Sequence, residues 1–443
     1  MKPVRADRIH SWSRLPFATG PAIDLRDPDK LASIILASNK PGLPYGNGRS
    51  YSDVCLTNDG PLWRMRGLDH FLAFDTANGM LRCEAGVTLQ EINRLTLPSG
   101  WFLPVTPGTQ FATVGGAIAN DVHGKNHHRR GTFGNHVQRL HLLRTDGSLH
   151  KCSPTAESGL FSATIGGMGL TGIIVDAEIQ LLPVKGEWLD VEVIAFEHLD
   201  EFYALSDASE AGWEYTVSWI DCLAEGRGIF SRGNHLLAAE HPEPAPLSKR
   251  KPLRIPFTPP LSLINGLSLC TFNPLYFYLN KGRQGRGIRH YRPYFYPLDN
   301  ILDWNRLYGP KGFYQYQSVV PPQNARDAIG AMLKVIADSG MGSPLAVLKT
   351  FGKPVSPGML SFPMEGTTLA LDFPNAGAKT EQLFARLDAI VGEAHGRIYP
   401  AKDARMPRDL FISGYSRLHE FLPWRDPGIQ SAMAERLLPP VNF

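Results

Sequence analysis

Short apolar runs alternate with turns through the first 184 residues and predict a mixture of helices and strands. Residues 28–38 carry apolar positions at helical spacing after an acidic, proline-containing turn, so they predict a short amphipathic helix. Residues 79–100 predict a strand followed by a helix that begins near Thr88.

The same alternation predicts two further units before the pattern changes. Residues 136–154 predict a hairpin that turns at Asp146-Gly147. Residues 160–184 predict a helix, a glycine loop and a long strand. Beyond residue 186 aromatic residues become dense and the alternation is less regular, so we place a domain boundary at residues 183–186.

One later stretch stands out because it carries no charge. Residues 255–280 contain no Asp, Glu, Lys or Arg, and basic clusters at 248–254 and 281–289 flank them. Four prolines argue against one continuous helix, so we expect a loop. An uncharged, aromatic-containing loop between basic clusters suits peripheral contact of 248–289 with an anionic membrane. The alternative is a buried cap segment with solvated basic ends.

Composition narrows the function classes. A chain of 443 residues is long enough for two domains, and its net charge of +3 is too small to predict a nucleic-acid partner. Five scattered cysteines without zinc spacing predict neither a disulfide framework nor a zinc site. No signal peptide or spanning apolar run is evident, so we expect a cytoplasmic protein or a peripheral one at the inner membrane.

Three glycine clusters in the first 170 residues point to a large phosphate-bearing ligand. They are Gly46-Asn47-Gly48, Gly108 with Gly115-Gly116, and 166–169. Glycine lets backbone N–H groups approach a phosphate closely. The first cluster lacks the third glycine and the helix of a Rossmann fingerprint, and no P-loop is present. A flavin dinucleotide in a non-Rossmann fold remains the candidate ligand.

Longer motifs then carry a family resemblance. The segments PYGNGRSYSD (44–53), LPVTPGTQFATVGGAIANDVHGKNHHRRGTFGNHV (103–137) and GGMGLTGII (166–174) resemble the flavin domain of PCMH-type FAD-linked oxidases, the vanillyl-alcohol-oxidase superfamily. Five motifs resemble one family within that superfamily, the decaprenylphosphoryl-β-D-ribose 2′-oxidases. They are HGKNHH with FGNHV (123–137), NRLYGPKGFYQYQ (305–317), KTFGKP (349–354), LSFPMEG (360–366) and YPAKDAR (399–405).

The resemblance implies an α+β fold with two domains. Residues 1–184 would form the PCMH-type FAD-binding domain, and residues 185–397 a substrate domain with an antiparallel sheet over the flavin. Residues 398–443 would return to the FAD domain. We expect non-covalent FAD, because the segment from Pro44 to Val54 contains no histidine or cysteine that could attach the ring.

The resemblance also assigns residues. It implies catalytic roles for Lys402, Tyr51 and His123. The cofactor-binding positions would be Pro44, Gly46, Asn47, Gly48, Arg49, Ser50, Tyr51, Ser52, Asp53, Gly108, Thr113, Val114, Gly115, Gly116, Asn120, Asp121, Val122, His123, Ile174 and Tyr399. The substrate-binding positions would be Lys125, Trp219, Gln315, Gln317, Lys349, Asp372 and Lys402.

Simpler interpretations of these residues stay open. The loop at 44–54 is also compatible with an ordinary tight turn, Lys402 with a solvated lysine, and Gln315 with Gln317 as one face of an ordinary strand. His123 and His127 stand four apart, but Gly124 and Asn126 disfavour a helix there and no HExxH glutamate is present, so we expect no metal.

The leading hypothesis is an FAD-dependent oxidation of the 2′-hydroxyl of a polyprenylphosphoryl-β-D-ribose to the 2′-keto sugar. A separate NAD(P)H-dependent keto-reductase would complete epimerisation to the arabinose donor of cell-envelope glycans. The alternatives are a flavin oxidase of a soluble sugar, alditol or aldonolactone, and a non-catalytic flavin- or glycan-binding module. Thr368 and Ala370 stand where mycobacterial members carry Asn and Cys, and Phe295 replaces a pocket tyrosine, so the chain departs from those members at three pocket positions.

Overall fold

The amino-terminal part of the chain contains two sheets. A computed structural model describes residues 9–15, 17–18, 20–224, 226–236 and 252–440. A five-stranded antiparallel sheet has the order Leu149–Cys152, Val137–Leu143, Ile173–Gln180, Met80–Glu84, Phe71–Asp75. A three-stranded parallel sheet has the order Ala22–Asp24, Leu62–Arg64, Leu43–Tyr45. The loops that leave these two sheets supply much of the site.

The helices of this part follow their sequence signals. They are Leu31–Leu36, Leu89–Thr96, Val114–Ala119, His127–Arg130 and Ser158–Thr164. The helix predicted near Thr88 is confirmed, since the Thr88 hydroxyl and the Glu91 carboxylate form a capping box. The predicted hairpin at 136–154 is also confirmed. The helix predicted at 28–38 is shorter than expected, because the 3-10 turn Pro28–Lys30 precedes it.

The second large unit is an eight-stranded antiparallel sheet. Its order is Gly285–His290, Trp188–Phe196, Gly228–His235, Tyr215–Ile220, Val347–Phe351, Gly366–Pro374, Phe313–Val320, Arg397–Ile398. Three helices pack on one face, Leu199–Ser209, Pro322–Ser339 and Ala378–Glu393. The opposite face is left for the site. Helices together with antiparallel sheets confirm the α+β class.

Three short strand pairs complete the described pairing. They are Ile9–His10 with Phe17–Ala18, Trp101–Phe102 with Leu182–Pro183, and Leu253–Arg254 with Ile301–Leu302.

The last forty residues pack against the amino-terminal part. They form the helices Arg408–Gly414, Leu418–Phe421 and Ala432–Leu437. Arg436 makes an ion pair with Asp53 at 2.9 Å, and the Asp426 carboxylate accepts from the backbone N–H of Thr145 at 2.8 Å. These contacts hold the segment after Arg397–Ile398 beside the loop at 44–54.

The expectation of a loop throughout 255–280 is wrong for its second half. Gly266–Lys281 is a helix with Pro274 inside it. Asn265 and Ser268 form a capping box at its start, and Leu269, Asn273 and Phe277 bury one face against the eight-stranded sheet. This packing outweighs the backbone hydrogen bond that Pro274 removes. Tyr291–Phe295 forms a further short helix, and residues 248–251 of the basic flank lie outside the described residues.

Within the described ranges, none of the helices combines the length and the apolar character that crossing a bilayer requires.

Candidate active site

A cavity of about 880 Å³ lies where loops of the amino-terminal part meet the uncovered face of the eight-stranded sheet. This volume falls in the upper part of the range of roughly 300–1,000 Å³ that is typical of small-molecule and cofactor sites. The cavity wall includes the loops 44–51 and 106–125, the sheet and the turn at 399–402. The three glycine clusters, Tyr51 and Lys402 therefore face one space.

The structure brings most of the predicted site residues into this wall. The predicted cofactor positions that line it are Pro44, Gly46, Asn47, Gly48, Arg49, Ser50, Tyr51, Gly108, Thr113, Gly115, Gly116, Asn120, Val122, His123, Ile174 and Tyr399. All seven predicted substrate positions line it as well: Lys125, Trp219, Gln315, Gln317, Lys349, Asp372 and Lys402.

Four predicted cofactor positions lie outside the wall and have other contacts. Ser52 caps the turn Asp53–Cys55, and Asp53 pairs with Arg436. Val114 is fully buried in the hydrophobic core. The buried Asp121 carboxylate accepts from the Gly134 N–H and the Ser361 hydroxyl. Their side chains support the loops rather than face the cavity, and their assignment as cofactor-binding positions stays a prediction.

The loop at 46–50 is a cluster of free hydrogen-bond donors. In the described structure, the five backbone N–H groups from Gly46 to Ser50 donate to no protein acceptor. Gly48 has a φ of 58°, the left-handed conformation that favours glycine. Consecutive unpaired N–H groups form a concave site for anions. This loop therefore fits the pyrophosphate of FAD.

Orphaned polar atoms nearby support the same fit. The Arg49 guanidinium lies between two rings, 4.4 Å from the centroid of Trp12 and 5.1 Å from that of Phe111. Its Nε atom and the Oδ1 atom of Asn120 are buried without a hydrogen-bond partner. Both residues line the cavity, so a bound dinucleotide could satisfy these atoms.

The uncovered sheet face follows the two-residue period of β-structure. Alternate residues of five strands line the cavity, namely Gln315 and Gln317, Ala370 and Asp372, Val347 and Lys349, Val217 and Trp219, and Ile229 and Ser231. Cross-strand register places Gln317 opposite Ala370, and Ala370 opposite Val347. The strands Phe313–Val320, Gly366–Pro374 and Val347–Phe351 thus supply most of the polar side chains of this face, and the strands Tyr215–Ile220 and Gly228–His235 supply mainly apolar ones.

His123 connects the loop 106–125 to this sheet. Its Nε2 atom lies 3.0 Å from the Gln317 amide nitrogen, and its Nδ1 atom lies 3.1 Å from Lys349 Nζ. Burial and the charge of Lys349 hold the pKa of His123 well below its usual range, so the ring is neutral. A neutral imidazole has one N–H. The Gln317 amide nitrogen also donates to the Thr368 hydroxyl at 3.2 Å, so this amide joins His123 to the neighbouring strand.

His127 packs behind this network and does not face a site that it could share with His123 as a metal ligand. Its buried ring packs on Phe351 at a centroid distance of 4.5 Å, and burial lowers its pKa to about 3. Among the described residues, no three His, Cys, Asp or Glu side chains are grouped to hold a metal.

Lys402 lies at the junction of the loop at 44–54 and the sheet. Its Nζ atom lies 3.8 Å from the centroid of the Tyr51 ring, and no protein group among the described residues accepts a hydrogen bond from it. Burial lowers the pKa of Lys402 to about 8, while the charge of Asp372 raises it. Asp372 accepts from the Gln315 amide at 2.5 Å, and burial raises the pKa of Asp372.

Two more lysines share the cavity with Lys402. Lys125 donates to the Tyr294 carbonyl at 2.8 Å, and Lys349 donates to that of Gly124 at 3.1 Å. Burial lowers the pKa of Lys125 to about 8 and that of Lys349 to about 7. None of the three makes an ion pair in the described structure. Of the three, only Lys402 has its pKa raised by an acidic neighbour among the described residues, Asp372, and converging lysines of this kind are suited to an anionic ligand.

Sequence reasoning missed several cavity residues. Trp12 and Phe111 enclose Arg49, and Tyr294 contacts Lys125 through its ring and carbonyl. Phe272 and Tyr276 line the cavity from the helix Gly266–Lys281. For Phe272, Tyr276 and Tyr294 the density of aromatic residues beyond 186 was the available signal, but it does not identify the ones that face a ligand.

We expect FAD to be released intact when the protein is denatured. No histidine or cysteine occurs in the loop from Pro44 to Val54, and burial raises the pKa of the adjacent Cys55 thiol to about 12, which disfavours the nucleophilic thiolate. After acid precipitation, the yellow colour should stay in the supernatant. Flavin fluorescence that migrates with the denatured protein on a gel would contradict the expectation.

We also expect no covalent capture of thiol-reactive nitroaromatic inhibitors at the sheet face. Ala370 lines the cavity between Gln317 and Val347 and offers no nucleophile. Intact-mass analysis after turnover with such a compound should show the unmodified chain. Ala370→Cys is the matched variant and should gain the adduct. An adduct mapped beside Ala370 in the unaltered protein would overturn the expectation.

Comparisons with known proteins agree with this site. A family model described as an FAD binding domain matches residues 24–153. Decaprenylphosphoryl-beta-D-ribose oxidase of Mycolicibacterium smegmatis is 35% identical over 457 aligned positions, covering 98% of each chain. An uncharacterized protein of Streptomyces coelicolor is 34% identical over 79% of this chain and 100% of its own.

A more distant relative shares only part of the chain. Human Delta(24)-sterol reductase is 35% identical over 121 residues, which cover 27% of this chain and 23% of its own. The near full-length similarity, the FAD-binding domain and the donor-rich cavity agree. The protein therefore belongs to the PCMH-type FAD-dependent oxidoreductase family that includes the mycobacterial decaprenylphosphoryl-β-D-ribose oxidase, and its cofactor is FAD.

Proposed function

We propose that this protein oxidises the 2′-hydroxyl of a polyprenylphosphoryl-β-D-ribose to the 2′-keto sugar. The observation that carries the proposal is the convergence of Lys125, Lys349 and Lys402 in a cavity whose other end is apolar. Bound FAD supplies the acceptor for the hydride that leaves the sugar carbon. The name of the mycobacterial relative supports the same substrate class.

The division of the cavity matches a substrate with an anionic head and a hydrocarbon tail. Lys125 and Lys349 are placed to neutralise a phosphate, as their charges have no acidic partner in the described structure. The rest of the wall includes the apolar residues Val193, Val217 and Ile229 and the aromatic residues Trp219, Phe272 and Tyr276. A soluble sugar, alditol or aldonolactone would use the lysines but leave this apolar wall uncovered.

Lys402 is assigned to the substrate hydroxyl. Removing hydride from an alcohol carbon also requires loss of the hydroxyl proton, and an amine with a lowered pKa can accept it. The Tyr51 ring packs against the Lys402 side chain from one side, and the charge of Asp372 raises the pKa of Lys402. His123, held neutral by burial, orients Lys349 and Gln317.

The rate of flavin reduction is expected to rise with pH through a limb near the pKa of Lys402, about 8. The neutral amine is the active form, and burial moves its appearance down from the usual lysine range. Stopped-flow reduction between mildly acidic and alkaline pH measures this limb. Because Asp372 raises the pKa of Lys402, Asp372→Asn should move the limb to lower pH. A rate that falls with rising pH would contradict the role of Lys402 as a base.

The keto product implies a partner reaction. A separate NAD(P)H-dependent keto-reductase would return hydride to the other face of the 2′-carbon and give the arabinose configuration. The overall sequence would supply a lipid-linked arabinose donor for cell-envelope glycans.

The test is anaerobic incubation of the holoenzyme with candidate substrates while the flavin absorbance is followed. Polyprenylphosphoryl ribose should bleach the flavin, whereas free ribose, alditols and aldonolactones should not. Bleaching by an alditol or aldonolactone with no response to the lipid-linked sugar would favour a soluble-substrate oxidase. A flavin that none of these compounds reduces would favour a non-catalytic binding module.

A further inference from the structure

Exposed apolar side chains are concentrated in one segment of the described chain. Eleven of the large apolar residues that are exposed lie between residues 253 and 288: Leu253, Phe257, Leu261, Leu263, Leu267, Phe272, Leu275, Tyr276, Tyr278, Leu279 and Ile288. We call these eleven residues the apolar surface. Clustered exposed apolar side chains are a mark of interaction sites on soluble folds.

The helix Gly266–Lys281 forms the centre of the apolar surface. Its inner face is already used, since Leu269, Asn273 and Phe277 are buried and Asn273 donates to the Asp221 carboxylate at 2.9 Å. Its outer face presents Leu267 and Leu275, which are 83% and 56% exposed. The helix is thus anchored on the sheet while its outer side keeps an unpartnered apolar face.

The charged residues that border the apolar surface include arginines without an acidic partner in the described structure. Residues 255–280 carry no charged side chain. On the strand side Lys281 pairs with Glu197 and Arg286 with Asp190, while Arg283 and Arg289 make no ion pair in the described structure. An uncharged apolar face bordered by unpaired arginines is complementary to a bilayer with anionic headgroups.

The apolar surface is also continuous with the cavity. Phe272 and Tyr276 belong to both, since their side chains are 43% and 37% exposed and also line the cavity wall. Asn280 and Arg254 line the cavity from the same region. The apolar end of the cavity therefore leads to the side of the molecule that carries the exposed leucines.

We propose that the apolar surface docks on an anionic bilayer, with the cavity mouth turned toward the membrane. The helix Gly266–Lys281 lies along the interface, and Arg283 and Arg289 contact the headgroups. A lipid-linked substrate then reaches the cavity without its hydrocarbon chain crossing water. The docking itself rests on the surface alone, whereas the orientation of the substrate rests on the proposed function.

The test is flotation of the FAD-loaded protein with substrate-free vesicles. One set of vesicles contains phosphatidylcholine alone, and the other also contains phosphatidylglycerol. The double variant Leu267→Gln with Leu275→Gln removes two exposed leucines that do not line the cavity. The matched control is Leu149→Gln with Val355→Gln, because Leu149 and Val355 are likewise 56% and 83% exposed but lie elsewhere.

The unaltered protein and the control should float with the phosphatidylglycerol vesicles, and the first double variant should bind at least about tenfold more weakly. Arg283→Gln with Arg289→Gln should weaken binding to the anionic vesicles and leave binding to neutral ones unchanged. Equal flotation of both double variants would overturn the proposal. So would absence of flotation together with a dimer in solution that the Leu267 and Leu275 substitutions dissociate, because a second copy would then cover this surface.

The outcome is separable from that of the proposed function. Flotation uses no substrate, so it can succeed while polyprenylphosphoryl ribose fails to bleach the flavin. If bleaching succeeds, a short-chain water-soluble substrate should reduce the flavin of the Leu267 and Leu275 variant at the unaltered rate. Reduction of vesicle-borne substrate should fall in parallel with flotation, and an undiminished vesicle rate would overturn the proposed orientation.

Discussion

Lys402→Ala is expected to lower the rate of flavin reduction by roughly 10²–10⁴-fold, the usual effect of losing a general acid or base. The reason is that Lys402 is the cavity lysine whose ammonium has no protein hydrogen-bond acceptor among the described residues. FAD should stay bound, because the backbone N–H groups from Gly46 to Ser50 are unaffected. Single-turnover bleaching at saturating substrate, with flavin content measured alongside, checks both parts.

Two further variants define what Lys402 does. Lys402→Arg should recover little activity, because a guanidinium keeps its proton. Lys353→Ala, at a lysine outside the cavity wall, is the control and should reduce flavin at the unaltered rate. A Lys402→Ala variant that bleaches almost as fast as the unaltered protein would remove this residue from the mechanism. A variant that loses FAD would show that its role is structural.

Gly48→Ala is expected to give a protein that purifies with little FAD. Gly48 has a φ of 58°, and a Cβ atom there would lie 2.0 Å from the Tyr45 hydroxyl oxygen. Either the Tyr45 ring or the loop must therefore shift, and the added strain at the positive φ favours displacement of the free N–H groups at 46–50. Flavin content after purification and the affinity of the apoprotein for added FAD measure the loss.

Gly340→Ala is the matched control for this substitution. Gly340 has a φ of 63° and a ψ of 12°, so it shares the cost of about 1–2 kcal/mol for placing a side chain in the left-handed region. A Cβ atom at Gly340 meets nothing within 4 Å. Both variants should therefore lose thermal stability, but only Gly48→Ala should lose FAD. Full flavin content in Gly48→Ala would show that the loop at 46–50 does not hold the cofactor.

Local signals explain what could be predicted from the sequence. Thr88 begins a helix because its hydroxyl and Glu91 satisfy free N–H groups, and these partners are three residues apart. The hairpin that turns at Asp146-Gly147 likewise depends on neighbours in the chain. The family motifs added the cavity residues that no local rule identifies, such as Lys349 and Lys402.

The features that were missed depend on contacts distant in sequence. The helix Gly266–Lys281 forms despite Pro274 because Leu269 and Phe277 bury against strands that precede it by many residues. The ion pair of Asp53 with Arg436 joins residues 383 positions apart, so no local pattern predicts it. The aromatic enclosure of Arg49 joins Trp12 and Phe111, which share no motif with it. Tertiary packing decides such cases.

The central claim is that the hydride leaves the 2′-carbon of a lipid-linked ribose. The most direct measurement is stopped-flow flavin reduction with polyprenylphosphoryl ribose that carries deuterium at a single sugar carbon. Deuterium at C2′ should slow the reduction, whereas deuterium at C1′ or C3′ should leave the rate nearly unchanged. Reduction that is insensitive to deuterium at C2′ but slowed by deuterium at C3′ would contradict the account.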